Sequence, residues 1–214
     1  FKNIGDFRRN AISQLINDLH KLVESTKPEA QFGVSPAGIW ASSLQIPTGA
    51  DTLGSQSYFE SFADSRRWVR ENMVDYIAPQ IYWEIGADSG DFSILLDWWN
   101  HTVADTDVKL YIGLAAYKAA EAEEGSVWFG TDELSRQLDA MKESSHTSGA
   151  LFFRYGSLKK VDTSFLPTET KAETPVIRES LWPKELVLDT PQGNQAVRSG
   201  DRLRISCTAP RCSR

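Results

Sequence analysis

The sequence predicts an α/β fold built on parallel strands, followed by the opening of an all-β module. Three observations predict it. Helix-like and strand-like segments alternate through the first 160 residues or so. The strand-like runs lack the polar alternation of a strand with one wet face, as expected of parallel strands covered by helices. From about Val161 the chain turns polar and rich in Thr and Pro, and then breaks into short β-type runs.

The first element is a helix, because Ile12, Leu15, Ile16, Leu19, Leu22 and Val23 fall at helical spacing with polar residues between them. "KPEA" breaks it, and "QFGVSPAGIW" reads as a short buried strand entering a Pro/Gly turn. "SYFESFADSRRWVREN" suits a second amphipathic helix carrying Phe62, Trp68 and Val69 inward. "VDYIAPQIYW" is the second strand, followed by the loop "EIGADSGD" and the helix "FSILLDWWNHTV", with Ile94, Leu95, Trp98 and Trp99 as its inner face. "VKLYIGLAAY" is the third strand. A Glu- and Ala-rich polar loop leads to the helix "TDELSRQLDAMKES", with Thr131 and Asp132 as cap candidates, and "GALFFRYGSL" is the fourth strand.

Parallel βα units build either an open doubly wound sheet or a (β/α)8 barrel. No strand is followed by a phosphate-binding glycine fingerprint, which counts against a nucleotide fold. Four strands are half of a barrel, and a half-barrel leaves two open apolar strand edges, an invitation to self-association. Residues 1–160 form the expected α/β domain and 161–180 a linker. Residues 181–214, with runs separated by "PQGN" and "RSGD", form the start of a β-sandwich of fibronectin III or immunoglobulin type.

The 214 residues are 41% hydrophobic and 24% charged, ordinary for a globular protein. Net charge is −6 with pI about 5.2, and Lys and Arg form no stripe, so nucleic acid is not an expected partner. No run of about 18 apolar residues offers a membrane span. The opening "FKNIGDFRRN" has no signal-peptide core, and any targeting segment is expected upstream of it. Cys207 and Cys212 stand without a nearby histidine, and His20, His101 and His146 are widely spaced, so neither a metal nor another cofactor is expected.

Several motifs in sequence order, "FGVSPAGIW", "DYIAPQIYW", "LLDWWN" and "LYIGLAAYK", resemble the bacterial glycosyl hydrolase-like 10 family. "DFRRNAISQLINDLHKLVESTKP" is similar to that family's approach to its fifth barrel strand, and "SVWFGTDELSRQLDA" to the stretch between strands seven and eight. The resemblance spans roughly residues 5–158. It implies a TIM barrel of which this chain holds strands five to eight, acting on polysaccharide in the bacterial cell envelope. Some members resemble hydrolases of peptidoglycan glycan strands stripped of their stem peptides. It further implies that key carboxylates follow the fourth strand, upstream of Phe1, and that Arg8 and Arg9 match a paired Arg of the family, one of which could face the cleft.

Barrel enzymes carry their sites at the carboxyl ends of the strands. Ser35, Trp40 and the loop to Asp51 fall there after the first strand; Gln80, Tyr82, Trp83 and Glu84 after the second; Ala116, Tyr117 and Lys118 after the third; Arg154 and Tyr155 after the fourth. Sugars present apolar CH faces and a hydroxyl rim, which aromatic platforms and amide, carboxylate or cationic groups bind together. Trp40, Gln80, Tyr82, Trp83, Tyr117 and Lys118 are therefore the candidate substrate-binding residues. Core packing is the competing reading for the aromatics.

Glycoside hydrolysis normally uses two carboxyl groups flanking the bond. Glu84 is the one acid directly at a strand end beside aromatics, and burial against Trp83 would favour the protonated form a general acid needs. It is the catalytic candidate, with its partner expected upstream; a loop acid that caps or pairs with a neighbour is the plain alternative. Asp51, Asp88 and Asp91 suit turns, and Glu121, Glu123 and Glu124 a solvated loop. The reading is thus a glycosidase working by carboxylate acid/base chemistry. A non-catalytic carbohydrate-binding or adhesion barrel is the rival, and an independently folding open α/β domain with another function is a third.

Overall fold

The structure is a computed structural model that describes residues 1–166 and the backbones of 185–188 and 195–198. Helix α1 (Ile4–Thr26) opens where the Asn3 side chain accepts the Asp6 N–H at 2.8 Å. Its six expected apolar positions divide between two faces. Ile12, Ile16 and Val23 are half-buried, beside a buried Ser13 whose Oγ accepts the Trp68 indole N–H at 2.9 Å. Leu15, Leu19 and Leu22 face solvent.

Four parallel strands follow in chain order across one sheet: β1 (Gly33–Val34), β2 (Tyr76–Ile77), β3 (Lys109–Leu114) and β4 (Thr147–Phe152). The first two are much shorter than their apolar runs, because Pro36 and Pro79 have no N–H to give to the ladder. Pairing resumes beyond the prolines at Ala37↔Gln80 and Gln80↔Gly113. That crossing needs glycine on both sides: a Cβ on Gly38 would lie 2.6 Å from the Gln80 carbonyl oxygen, and one on Gly113 3.0 Å from that of Pro79. β1 and β4 are the outer strands of this sheet.

The expected second helix is two: α2 (Ser57–Glu60) and α3 (Ser65–Arg70). Phe62 takes φ 55°, and Asp64 ends the break by capping α3 through the Arg67 N–H. Helix α4 (Phe92–Val103) is capped by Asp91, which accepts the Ser93 N–H at 2.7 Å. Its Phe92, Leu95 and Trp99 are wholly buried against Ile77, Ile81, Leu110, Ile112 and Leu114 of the sheet region, while Ile94 is exposed. Each such side chain contributes about 1.5–3 kcal/mol by leaving water. Trp99 also donates its indole N–H to the Gly38 carbonyl at 2.8 Å, tying helix to sheet.

After β3 the chain enters α5 (Ala116–Glu121) at once, where the sequence reads as strand end and loop. Helix α6 (Asp132–Lys142) begins as expected after Thr131, although the Thr131 hydroxyl makes no capping bond. A one-turn α7 (Tyr155–Leu158) follows β4. This mixed α/β arrangement with its parallel sheet is compatible with half of a (β/α)8 barrel. Strands β5 (Glu185–Leu188) and β6 (Gln195–Arg198) pair antiparallel, Leu186 opposite Val197. The rest of the expected linker and sandwich opening, with Cys207 and Cys212, lies outside the described residues.

Candidate functional site

Because the strands are parallel, the segments after β2, β3 and β4 emerge on one rim. The β2 segment is held first through its main chain. Gln80 donates its amide N–H to the Ser35 carbonyl at 2.9 Å, locking the β1 and β2 ends together. Ile81 is buried. The Trp83 carbonyl accepts the Gln137 side-chain amide at 3.0 Å, and the Ile85 N–H donates to Glu133 Oε1 at 2.8 Å. The residue between them, Glu84, is therefore fixed from both sides by α6. Gly90 lets the loop close on the Trp83 indole, since a Cβ there would lie 2.9 Å from its Cδ2.

Two side-chain clusters stand on this rim. In the first, Tyr82 meets Tyr117 edge-on at 5.9 Å and stacks with Phe153 at 6.0 Å, joining all three segments in one aromatic group. Burial, with the neighbouring Tyr117 adding, raises the Tyr82 phenol above its usual value. In the second, the half-buried Glu84 accepts the Trp128 indole N–H at Oε2, 3.0 Å away, and Lys118 Nζ lies 4.9 Å from the Trp128 ring centroid. The partner of the Glu84 carboxylate is thus Trp128, from the loop between α5 and α6, where the sequence points to Trp83.

The structure therefore brings Tyr82, Trp83, Glu84, Tyr117 and Lys118 to one rim, with Gln80 below them bracing the strands. Trp40 stands apart from the expectation. It is 5% exposed, stacked with Trp98 at 5.8 Å, and donates to Asp64 Oδ1 at 3.0 Å. It packs the loop after β1 against α4 and leaves little ring for a ligand. Asp64 is half-buried, and burial raises its carboxyl above the usual value despite the Trp40 and Arg67 N–H donors and the nearby Arg67 and Arg9 charges.

Asp91, Arg9 and Arg8 are committed elsewhere. Asp91 accepts the Ser93 and Gly86 N–H groups as a cap and turn residue. Arg9 pairs with Asp6 and donates to the Tyr58 carbonyl at 3.1 Å, and Arg8 lies over Phe62 at 4.8 Å, so both tie α1 to the α2 region. Asp51, Asp88, Glu121, Glu123 and Glu124 are exposed.

Sequence reasoning missed Trp128, Phe153, Glu133 and Gln137. Glu133 is 2% exposed and bonds Ile85 N–H, Gln137 Nε2 and Arg136. The available signal was two polar residues at i and i+4 on one side of a helix, in register with its buried Leu134 and Met141. A groove of about 490 Å³ lies at the other end of the sheet between α4 and α6, lined by Asp97, Asn100, His101, Glu143 and His146 among others. Asn100 there spends its amide on Leu96 O, Thr147 Oγ1 and His146 N–H, and His101 turns to Asp97 of its own helix.

Comparison with known proteins gives the family. The profile of the glycosyl hydrolase-like 10 family matches residues 1–129. Glycosyl hydrolase DigH of Escherichia coli strain K12 is 41% identical over 167 residues, which are 76% of this chain and 38% of that protein. DigH of Escherichia coli O6:H1 is 42% identical over the same length. Glycosyl hydrolase YngK of Bacillus subtilis strain 168 is 37% identical over 161 residues, 75% of this chain and 31% of that protein. The chain thus spans about a third of the length of these curated relatives. On the family match and these identities together, the chain belongs to the glycosyl hydrolase-like 10 family.

Proposed function

We propose that the complete protein is a glycoside hydrolase of the bacterial cell envelope, cutting peptidoglycan glycan strands or a related amino-sugar polysaccharide. Residues 1–160 of this chain supply strands five to eight of its (β/α)8 barrel. The remaining barrel strands cover the outer edges of β1 and β4 and the exposed Leu15, Leu19 and Leu22 face of α1. Without them the chain self-associates through those surfaces.

The observation that carries the reading is Glu84: an acid in the segment that follows β2, its carboxylate oriented by an indole N–H, on the same rim as the Tyr82, Tyr117 and Phe153 group. Membership in a glycosyl hydrolase-like family and relatives named glycosyl hydrolases support it. In the mechanism Glu84 serves as general acid/base toward the glycosidic oxygen, and a second carboxylate comes from the upstream half. Trp83 and Tyr82 bear on sugar faces, while Lys118 and the Tyr82 phenol bind hydroxyl or acetamido oxygens. Gln80 holds the strand ends in place.

The test is Glu84→Gln in the complete protein, assayed on purified glycan strands. Loss of turnover by about 10²-fold or more with glycan binding retained is expected. Unchanged turnover removes Glu84 from the chemistry. A wild-type protein that binds glycan without cutting it would favour the carbohydrate-binding barrel instead.

A further inference from the structure

We infer that Trp128 is a positioning residue for Glu84, presented by a loop built to deliver its indole N–H to that carboxylate. The inference rests on the reading of Glu84 as the acid/base group and names the device that aims it.

The loop's own geometry fixes its course. Gly125 and Gly130, at φ 92° and 78°, bracket the segment Ser126–Phe129 in a backbone region that side chains rarely adopt. Inside it, Ser126 Oγ accepts the Trp128 N–H at 3.2 Å and the Ser126 carbonyl accepts the Phe129 N–H at 3.0 Å. The loop is a set of tight local turns that fixes where the Trp128 side chain starts.

The loop is also selective in what it buries and what it leaves out. Trp128 is 6% exposed, while its neighbours Val127 and Phe129 are 47% and 54% exposed. A loop folded only to hide apolar surface would not leave both of these in water while turning in the residue with a polar edge. That edge reaches Glu84 Oε2 at 3.0 Å, and Lys118 covers the ring from α5.

The main chain around Glu84 is anchored at the Trp83 carbonyl by Gln137 and at the Ile85 N–H by Glu133. Trp128 adds a third point at the carboxylate itself, so backbone and side chain are both held. Catalytic groups need such fixed orientation, and a supporting donor of this kind typically affects rate more than affinity.

The experiment compares wild type, Trp128→Phe, Glu84→Gln and the double variant of the complete protein on glycan strands. Phenylalanine keeps an aromatic ring and removes the N–H. The expected result is a kcat loss of about 10–100-fold with KM changed less than about threefold, and melting within a few degrees of wild type. At high enzyme concentration, Trp128→Phe should cost nothing further in the Glu84→Gln background, because its effect passes through that carboxylate.

Wild-type kcat in Trp128→Phe, or the same fold-loss in both backgrounds, overturns the inference and leaves the role of Glu84 standing. Wild-type turnover in Glu84→Gln overturns the reading of Glu84 and this inference with it. Should Trp128→Phe fail to fold, hydrogen exchange of the Trp128 indole proton decides. Protection in wild type that is lost in Glu84→Ala supports the clamp, and exchange as fast as a free indole overturns it.

Discussion

The two ends of the parallel sheet use similar residue types to different effect. At the amino end, the α4–α6 groove has two histidines, two acids and an asparagine, a more reactive-looking set than the rim above β2. Yet Asn100 braces the turn before β4, and His101 bonds one turn back on its own helix. At the carboxyl end, residues from three successive segments touch one another: Tyr82 with Tyr117 and Phe153, Glu84 with Trp128, Trp128 with Lys118. Convergence of side chains from separate elements, more than residue type, distinguishes a site from a surface.

The sharpest way to break that comparison is to release the rim from below. Glu133→Ala leaves the Ile85 N–H and the Gln137 amide without their buried acceptor. It should cost about 2–4 kcal/mol in urea unfolding and disorder the Glu84 loop. A loss under about 0.5 kcal/mol would mean that α6 does not hold the loop.

Asp64 gives a smaller effect with a definite sign. Asp64→Ala strands the Trp40 indole N–H and should cost about 1–3 kcal/mol, whereas Asp64→Asn keeps an acceptor there. The folded-state carboxyl is raised, so its contribution to stability is complete below the ordinary aspartate range and is lost as pH climbs through the raised value. Asp64→Asn should therefore gain on wild type as pH rises from acid toward neutral, read from melting temperatures across that window. A gap that is constant with pH would contradict the raised value.

The smallest effect belongs to the amino-end groove. His101→Ala and His146→Ala should each shift stability by less than about 0.5 kcal/mol and leave glycan turnover in the complete protein unchanged. A marked loss of turnover from either would erase the distinction between the two ends.

The order of elements was legible because apolar runs and helical spacing record burial directly. Trp99 and Leu95 fall on the inner face of α4 as expected. What the pattern concealed was local. Pro79 shortens β2 while leaving its apolar run intact, and Asp64 splits an apparently continuous helix by capping its second half. In α1, one string of leucines and isoleucines covers two faces, because spacing alone does not say which neighbours a helix has.

The makeup of the candidate rim was half legible for a related reason. Tyr82, Trp83 and Glu84 lie in the segment after β2, and Tyr117 and Lys118 in the first turn of α5 after β3, so position along the chain marks them. Trp128, Glu133 and Gln137 reach the rim through tertiary contacts, and no local pattern shows that a tryptophan in a Glu-rich loop meets an acid 44 residues earlier. Trp40 erred the other way: it lies in the loop after β1, but the Trp98 ring and Asp64 draw it inside.

The central claim is that the β2 rim binds glycan, and affinity tests it most directly. In the complete protein made inactive by Glu84→Gln, calorimetric titration with purified glycan strands should show Trp83→Ala weakening binding by about tenfold or more, with the melting temperature little changed. Affinity equal to the parent in a folded Trp83→Ala variant would contradict the account.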